Sequence, residues 1–360
     1  MTWASTIVLL GIGVAISVTA LSASAEPLTP EAFRERVLAA GGDVGFVFEE
    51  LPTPSCHAST LAEMPNGDLL CAWFGGTHEN NPDVAIWLAR YSEAQWSEPE
   101  LVAKVEESAH WNPVLFVSPD GDVHLYFKVG PQIPSWRTYW MKSEDGHEWT
   151  EPAPLVPGDE GGRGPVRCKP IVLSDGTWLA GASTEYDGWR PFVDRSTDGG
   201  ETWERTDYWE LDEAITGPGA IQPTLWESEP GHVHALLRTT AGRIGRADST
   251  DGGRTWSTVY LIDLPNPSAG IDVVRLDNGA LLLIYNPVSE GRSPITLARS
   301  EDNGDTWQDI AHLETIEGEF SYPAIIRTDD GVAISYTWQR LRIKAWTIPM
   351  GVLGNPNRDE

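Results

Sequence analysis

The feature that most constrains the fold is a short motif that recurs at a nearly constant interval. Three copies read Ser-x-Asp-x-Gly-x-Thr-Trp and begin at Ser196, Ser249 and Ser300, so their starts are 53 and 51 residues apart (249 − 196 and 300 − 249). Weaker copies begin at Ser143 and Ser92. Asp and Gly suit a tight turn between strands, because Asp bonds to nearby backbone N–H groups and Gly accepts positive φ. We therefore expect these aspartates to be structural, with the Trp packed under each hairpin.

A second repeat consists of a polar residue, an apolar run, a Gly-centred turn and another apolar run, and it occurs six times. Six such units, each with hairpins and a turn motif, predict an all-β, six-bladed β-propeller with four-stranded blades. The copies begin at His57, Asn112, Lys169, Gln222, Asp272 and Tyr322, and their turn glycines are Gly67, Gly121, Gly176, Gly231, Gly279 and Gly331.

The two ends of the repeat region predict how the ring closes. Residues 30–40 have the pattern of one short helix, and the strand predicted at 45–50 is placed to pair with 343–346, which removes a free sheet edge. The predicted organisation is a signal peptide at 1–25, a helical lead-in at 26–44, the propeller at 45–350 and a C-terminal tail at 351–360.

The N-terminal segment predicts a secreted or periplasmic protein. An apolar run from Ile7 to Val18 is followed by Ala23-Ser24-Ala25, which is typical of a signal peptide cleaved after Ala25. No later stretch is long and apolar enough to span a bilayer.

Charge and cysteine content exclude several classes of partner. The formal net charge of -28 argues against nucleic acid and anionic membrane surfaces as partners, so an acidic ligand needs a local basic pocket. The three cysteines, Cys56, Cys71 and Cys168, lack the paired spacing of a zinc site and are expected to be buried thiols. We expect no metal and no cofactor.

The second repeat also predicts where a ligand binds. In a propeller the innermost strand of each blade begins at the mouth of the central channel, so a polar residue at its start faces shared space. The residues predicted to form this ring are His57, Asn112, Lys169, Gln222, Asp272 and Tyr322.

From about Pro54 to Trp346, the Asp-box repeats, the blade count and several ring positions resemble the sialidase (neuraminidase) superfamily, in particular its bacterial BNR-repeat proteins. The resemblance implies a substrate carboxylate held by three arginines, a Tyr nucleophile assisted by a Glu, and a loop Asp as acid/base. Arg238 resembles the second arginine and Arg292 the third. Tyr322 resembles the nucleophile, and Asp83 resembles the acid/base.

The chain departs from the family pattern in two places. His57-Ala-Ser stands where the family has Arg-Ile-Pro, and Ala220 stands where the partner Glu is expected. The sequence leaves the base open between Asp272, Glu185 and Glu319. It does not place the spare cations Arg137, Arg190, Arg243 and Arg340.

The residues themselves favour the same chemistry. An Arg side chain meets a carboxylate through two parallel charge-assisted bonds, so Arg238 and Arg292 at one channel predict a carboxylate clamp. A carboxylate nucleophile would be repelled by an acidic sugar, whereas a phenol such as Tyr322 avoids that repulsion if a base draws off its proton. The sequence therefore predicts an exo-acting glycoside hydrolase whose substrate is an acidic oligosaccharide or glycoconjugate.

Two other functions remain open. If the sugar is a uronate, arginines at its carboxylate would acidify the C5 proton, and His57 as base with Tyr322 as acid would make the protein a polysaccharide lyase. A non-catalytic carbohydrate-binding propeller is the third possibility. The sequence does not specify the sugar, the linkage or the oligomeric state.

Overall fold

The computed structural model describes Met1, residues 26–159 and residues 161–354. Apart from Met1, the predicted signal peptide lies outside the described residues, as do residues 355–360 of the predicted tail. Within the described part of the chain, no helix has the length and apolar character needed to cross a membrane.

The lead-in forms one helix and one strand. Helix α1 (Pro30–Ala39) begins with Thr29, whose hydroxyl accepts a hydrogen bond from the Ala32 N–H at 3.3 Å, and Pro30 occupies the first turn, where no helical N–H bond is needed. Its apolar face buries Phe33 and Val37 against the propeller. Strand β1 (Asp43–Phe46) follows.

The described chain forms six antiparallel sheets, which confirms the all-β, six-bladed propeller, and two short 3₁₀ helices at Ile133–Ser135 and Met350–Leu353. The first blade has β2 (Ser55–Glu63), β3 (Leu69–Gly76), β4 (Ala85–Ser92), β5 (Gln95–Trp96) and β6 (Glu100–Ala103). The second has β7 (His110–Val117), β8 (Val123–Val129), β9 (Arg137–Ser143) and β10 (Ala153–Pro154). The third has β11 (Ile171–Val172), β12 (Trp178–Thr184), β13 (Arg190–Ser196) and β14 (Glu204–Arg205).

The other three blades follow the same plan. The fourth has β15 (Ala220–Glu229), β16 (His232–Thr239), β17 (Arg243–Ser249) and β18 (Tyr260–Pro265). The fifth has β19 (Asp272–Arg275), β20 (Leu281–Tyr285), β21 (Ile295–Ser300) and β22 (Gln308–Glu314). The sixth has β23 (Phe320–Arg327), β24 (Gly331–Trp338) and β25 (Arg342–Pro349).

The ring closes between its first and last strands, at the place that the sequence predicts. β1 completes the sixth sheet by pairing with β25, from Asp43 opposite Thr347 to Phe46 opposite Lys344. The strand begins two residues earlier than predicted and ends at Phe46, so only the start of 45–50 belongs to it. Pairing the outer strand in this way protects the sheet edge.

The apolar cores lie between neighbouring blades. One cluster joins the fifth and sixth blades to α1, a second joins the first and second, and a third joins the third and fourth. Around the axis, β2 contacts β7 and β23, β19 contacts β15 and β23, and β15 contacts β12. Because the apolar side chains pack sideways between sheets, the starts of the inner strands are left for polar groups.

The Asp boxes have the structural geometry that the sequence predicts. Ser196 donates to Asp198 at 2.8 Å, the Thr202 N–H donates to the same carboxylate oxygen at 3.0 Å, and the Trp203 indole N–H donates to the Gly200 carbonyl at 3.0 Å. The copies at Ser249 and Ser300 repeat these bonds. Each box therefore fastens its own hairpin.

Candidate active site

Four inner strands share an unusual backbone conformation where they begin. Ala58, Asn112, Gln222 and Tyr322 have φ of 56°, 37°, 59° and 51°, and each lies in a β-bulge. Residues other than Gly rarely adopt positive φ, and a bulge re-aims a side chain that the regular pleat would direct elsewhere. The repeated bulge therefore marks the ring position at the mouth of the channel.

A constant spacing extends this ring to the other two blades. Each bulged residue lies nine positions before its turn glycine (67 − 58, 121 − 112, 231 − 222 and 331 − 322). The same count gives Arg167 and Gly270 in the third and fifth blades (176 − 9 and 279 − 9). A Cβ added to Gly270 would lie 3.0 Å from the Arg167 Nε and 3.5 Å from the Tyr322 Cα, so these three positions are neighbours.

Lys169 and Asp272 lie one layer below the ring, which corrects the predicted arrangement. The Lys169 Nζ is 3.0 Å from the Asp272 Oδ2, and Asp272 also accepts bonds from the Thr224 hydroxyl at 2.7 Å and the Ile325 N–H at 2.9 Å. These contacts join four consecutive blades, the third, fourth, fifth and sixth. The pair is structural, because its groups satisfy one another beneath the ring.

Tyr322 is the residue around which the arginines gather. The Arg238 Nη1 donates to the Tyr322 hydroxyl at 2.8 Å, and the guanidinium carbons of Arg167, Arg238 and Arg292 lie 5.3, 5.8 and 5.8 Å from the centroid of its ring. The structure thus brings together the predicted Arg238, Arg292 and Tyr322. Arg167 is a fourth member that the sequence analysis missed.

Two of these arginines carry buried charge without a carboxylate partner among the described residues. Arg238 is 8% exposed and bonds to the neutral side chains of Gln222, Ser268 and Tyr322, while Arg167 is 3% exposed and contacts the Pro323 carbonyl and a thiol. The Nε of each has no hydrogen-bond partner. Burying an unpaired charge is costly. The arrangement is suited to an anion that arrives from outside.

Arg292 and Arg340, in contrast, share one carboxylate. The Glu319 Oε1 accepts from the Arg292 Nη1 at 2.9 Å and from the Arg340 Nε at 2.6 Å. Although burial acts to raise it, the charges of Arg340 and Arg292 hold the pKa of Glu319 below its ordinary value. Arg340 also pairs with Glu79, from the loop of the first blade, at 2.5 Å. Glu319 is therefore an ionised counterion.

Glu185, directly after β12, is in a different environment from the other candidate bases. Burial raises its pKa, the charge of Arg238 acts in the opposite direction, and Glu79 raises it further. Asp272 is occupied by Lys169, and Glu319 by two arginines. Because its proton affinity is increased, Glu185 is the carboxyl of the three best suited to accept a proton.

His57 lies against the face of Tyr322. The two ring centroids are 4.2 Å apart, and the imidazole is 2% exposed. Burial first, and then the charges of Arg340, Arg292, Arg167 and Arg238, lower the pKa of His57 well below its ordinary value. Its Nδ1 has no hydrogen-bond partner. The ring is therefore a neutral imidazole, one position before the bulged Ala58.

The remaining predicted residues divide between the site and its surroundings. Gln222 faces Arg238, with 3.3 Å between the Gln222 Oε1 and the Arg238 Nη1, whereas Asn112 donates to the Val166 carbonyl at 3.0 Å. Asp83 is exposed and accepts from the Thr77 hydroxyl at 2.7 Å and the Thr77 N–H at 3.0 Å. Those bonds lower the pKa of Asp83 and hold it within its own loop.

Comparisons with known proteins agree with this architecture. The family model of the BNR repeat-like domain matches residues 67–334, more than half of the chain. A search of curated proteins finds no match.

Among solved structures, the chain is similar to a Hadza microbial sialidase (TM-score 0.71, 18% identity, 82% of this chain and 66% of that one). It is also similar to a protein of unknown function from Dyadobacter fermentans (TM-score 0.69, 18% identity, 86% of this chain and 97% of that one). A third is the intramolecular trans-sialidase from Ruminococcus gnavus, solved with oseltamivir carboxylate (TM-score 0.67, 15% identity, 88% and 99%). The chain therefore belongs to the family of BNR repeat-like domains, and it has the fold of the sialidases to which it is similar.

Proposed function

We propose that the protein is an exo-acting glycoside hydrolase that cleaves a terminal, carboxylate-bearing sugar. The observation that carries the proposal is the pair of buried guanidinium groups, Arg167 and Arg238, beside Tyr322 and without carboxylate partners among the described residues. A substrate carboxylate would supply the missing charge and could accept two parallel bonds from Arg238. Arg292, whose guanidinium carbon is 5.8 Å from the centroid of the Tyr322 ring, completes the clamp.

Tyr322 is proposed as the nucleophile and Glu185 as its base. The phenol passes its proton to Glu185 while its oxygen bonds to the anomeric carbon, and the bond from that carbon to the leaving oxygen breaks. Water then attacks the same carbon, the bond to Tyr322 breaks, and Glu185 returns the proton to the phenol oxygen. A covalent intermediate on Tyr322 predicts retention of the anomeric configuration.

The acid that protonates the leaving oxygen comes from the loop between β3 and β4. Asp83 is the residue that the family resemblance implies, and Glu79 on the same loop reaches Arg340 at the site. After the first step, the same carboxylate takes the proton from the attacking water. The variants Asp83→Asn and Glu79→Gln show which of the two carboxylates is the acid. An aryl glycoside with a good leaving group does not need protonation of the leaving oxygen, so it should restore activity only in the variant that lacks the acid.

The decisive experiment is the Tyr322→Phe variant, tested with a panel of sialosides, other keto-deoxy sugar acids and uronate oligosaccharides. Hydrolysis should fall to background while ligand binding, followed by thermal shift, persists. The Tyr260→Phe variant is the matched control, since the Tyr260 hydroxyl bonds to Asp248, outside the site. Full hydrolysis by the Tyr322→Phe variant would overturn the nucleophile assignment. Binding without turnover by the unmodified protein would identify a carbohydrate-binding propeller.

A polysaccharide lyase is the second candidate, and the state of His57 favours it. A neutral imidazole beside Tyr322 could take the C5 proton of a uronate, while the phenol gives its proton to the leaving oxygen. A lyase would release an unsaturated, ultraviolet-absorbing uronate, whereas a hydrolase would release a reducing sugar without new absorbance.

We also propose, on the basis of its N-terminal sequence, that the protein is exported and is either secreted or periplasmic. The N-terminal residue of the exported protein tests this, because cleavage after Ala25 leaves Glu26 first.

A further inference from the structure

The hairpin that joins β12 to β13 presents side chains in two directions. Glu185 is mostly buried next to Arg238, and the following residue, Tyr186, is 42% exposed. On the far side of the turn, Trp189 packs on Arg238, with 5.2 Å between the guanidinium carbon and the indole ring. The hairpin thus borders the candidate site and continues outward to the rim of the propeller.

Beside this hairpin lies a group of two tyrosines and two arginines, which we call the rim platform: Tyr186, Tyr208, Arg190 and Arg205. The Arg205 Nη1 donates a hydrogen bond to the Tyr208 hydroxyl at 3.3 Å. The guanidinium carbons of Arg190 and Arg205 lie 5.5 and 4.7 Å from the centroid of the Tyr208 ring. Both arginines are exposed, so their charges face solvent.

The rim platform holds two positive charges close together. Arg190 and Arg205 contact the same aromatic ring, and neither forms an ion pair with a carboxylate of the described chain. Cation–π contacts hold two like charges close together there, although like charges repel. In a chain with 53 acidic and 25 basic residues, this pair would gain most from an anion supplied by a ligand.

The platform also offers a flat surface suited to a sugar ring. A Cβ added to Gly161 would lie 3.3 Å from the Tyr186 ring, so the phenol packs on bare backbone. Its other side contributes to the exposed surface. Aromatic faces and guanidinium planes are the groups on which sugars and their acidic substituents rest.

We propose that the rim platform is a subsite for a second acidic sugar, directly linked to the one that is cleaved, so that the preferred substrate carries at least two negative charges. The proposal rests on the proposed function. In an exo-acting enzyme the terminal sugar occupies the pocket and the rest of the chain leads outward. Groups on the rim next to Glu185 and Trp189 therefore meet the neighbouring sugar.

The test compares two substrates with the same terminal sugar, sialyl-lactose and disialyl-lactose, in which the neighbouring residue is a neutral galactose and a second, negatively charged sialic acid, respectively. We expect the Arg190→Gln/Arg205→Gln double variant to lower the ratio of kcat/KM for disialyl-lactose over sialyl-lactose by about tenfold. The preference of the unmodified protein should also weaken as salt rises, because exposed charges are screened. A purely structural role would not produce that salt dependence.

The matched control removes two arginines from the opposite face, as Arg254→Gln/Arg275→Gln, and should leave the ratio unchanged. An unchanged ratio in the platform variant, or a preference of the unmodified protein that salt does not alter, would overturn the subsite.

If neither compound is hydrolysed, these two sialosides are excluded as substrates and the substrate panel decides the proposed function, while calorimetric binding of disialic acid and of the single sugar tests the subsite separately. Tighter binding of the diacid by about tenfold supports the subsite. Equal binding of the two compounds refutes it.

Discussion

The Asp boxes and the ring at the channel mouth are both built from repeats, yet the polar groups of the boxes have hydrogen-bond partners and several of those at the ring do not. In the boxes, the same residue types recur and satisfy one another within one hairpin, as in Ser300, Asp302 and Thr306. In the ring, one backbone position carries six different residue types, and buried side-chain nitrogen atoms in and beside the ring have no hydrogen-bond partner. The six are Ala58, Asn112, Arg167, Gln222, Gly270 and Tyr322. Repetition therefore indicates structure, and departure from the repeat indicates function.

Ionisable groups show the same contrast. Hydrogen bonds from Thr202 lower the pKa of Asp198 to about 2, which stabilises its charged form and the hairpin together. Burial instead raises the pKa of Glu185 and lowers that of His57, so the site holds both groups away from their preferred charged forms. Such environments are typical of functional sites, because they prepare groups for proton transfer.

The largest effect is expected just below the ring. The Asp272→Ala variant would leave the partly buried Lys169 without its carboxylate partner and the Ile325 N–H unsatisfied. We expect the free energy of unfolding to fall by about 3 kcal/mol or more. Urea denaturation measures it. A loss below about 1 kcal/mol would contradict the structural role and would indicate that Asp272 binds the ligand instead.

The Arg238→Met variant should separate function from stability. Removing the guanidinium that bonds to Tyr322 should weaken ligand binding by about 100-fold, since loss of a buried charge partner costs roughly 2–5 kcal/mol in binding. Because the free protein no longer buries this unpaired charge, the melting temperature should stay the same or rise. Strong destabilisation together with intact binding would show that Arg238 is structural.

The Asp302→Ala variant is the corresponding change in an Asp box. It removes an acceptor for the Ser300 hydroxyl, the Thr306 N–H and the Thr306 hydroxyl. The site is exposed, so we expect a loss of only about 1 kcal/mol in unfolding free energy. Ligand affinity should not change, and a reduced affinity would break the contrast between boxes and ring.

The smallest effect concerns pH. Because the folded-state pKa of Asp198 is lowered to about 2, its charge stabilises the fold above the unfolded pKa of about 4, and this contribution is lost as the pH falls toward 2. The melting-temperature advantage over the Asp198→Asn variant should therefore be constant near neutrality and shrink below about pH 5. An advantage that grows on acidification would contradict the assignment.

Much of the fold and part of the site could be predicted because they depend on local repetition. The intervals between Asp boxes and turn glycines specify the number of blades, and the outer strand that closes the ring follows from the need to pair a sheet edge. Tyr322 could be located because it stands in a recognisable repeat position, and Arg238 and Arg292 because their surroundings resemble those of the family's arginines.

The predicted register differs from the structure in three blades, since His57 stands one position before the ring residue and Lys169 and Asp272 stand two positions after it. Lys169-Pro resembles the polar-Pro pairs at Asn112, Gln222 and Tyr322, but it lies seven residues before its turn glycine instead of nine (176 − 169). Counting back from the glycine would have identified Arg167. The spacing is the better signal because the hairpin length sets how far the inner strand reaches toward the channel.

What the sequence determined by itself is the architecture, since strand periods and turn residues act over short distances along the chain. Only the tertiary structure decided the charge balance of the site. Closing the ring brings Glu79 against Arg340, 261 residues later, and leaves Arg167 and Arg238 without such a partner among the described residues. Electrostatic pairing depends on distance in space, which no local repeat encodes.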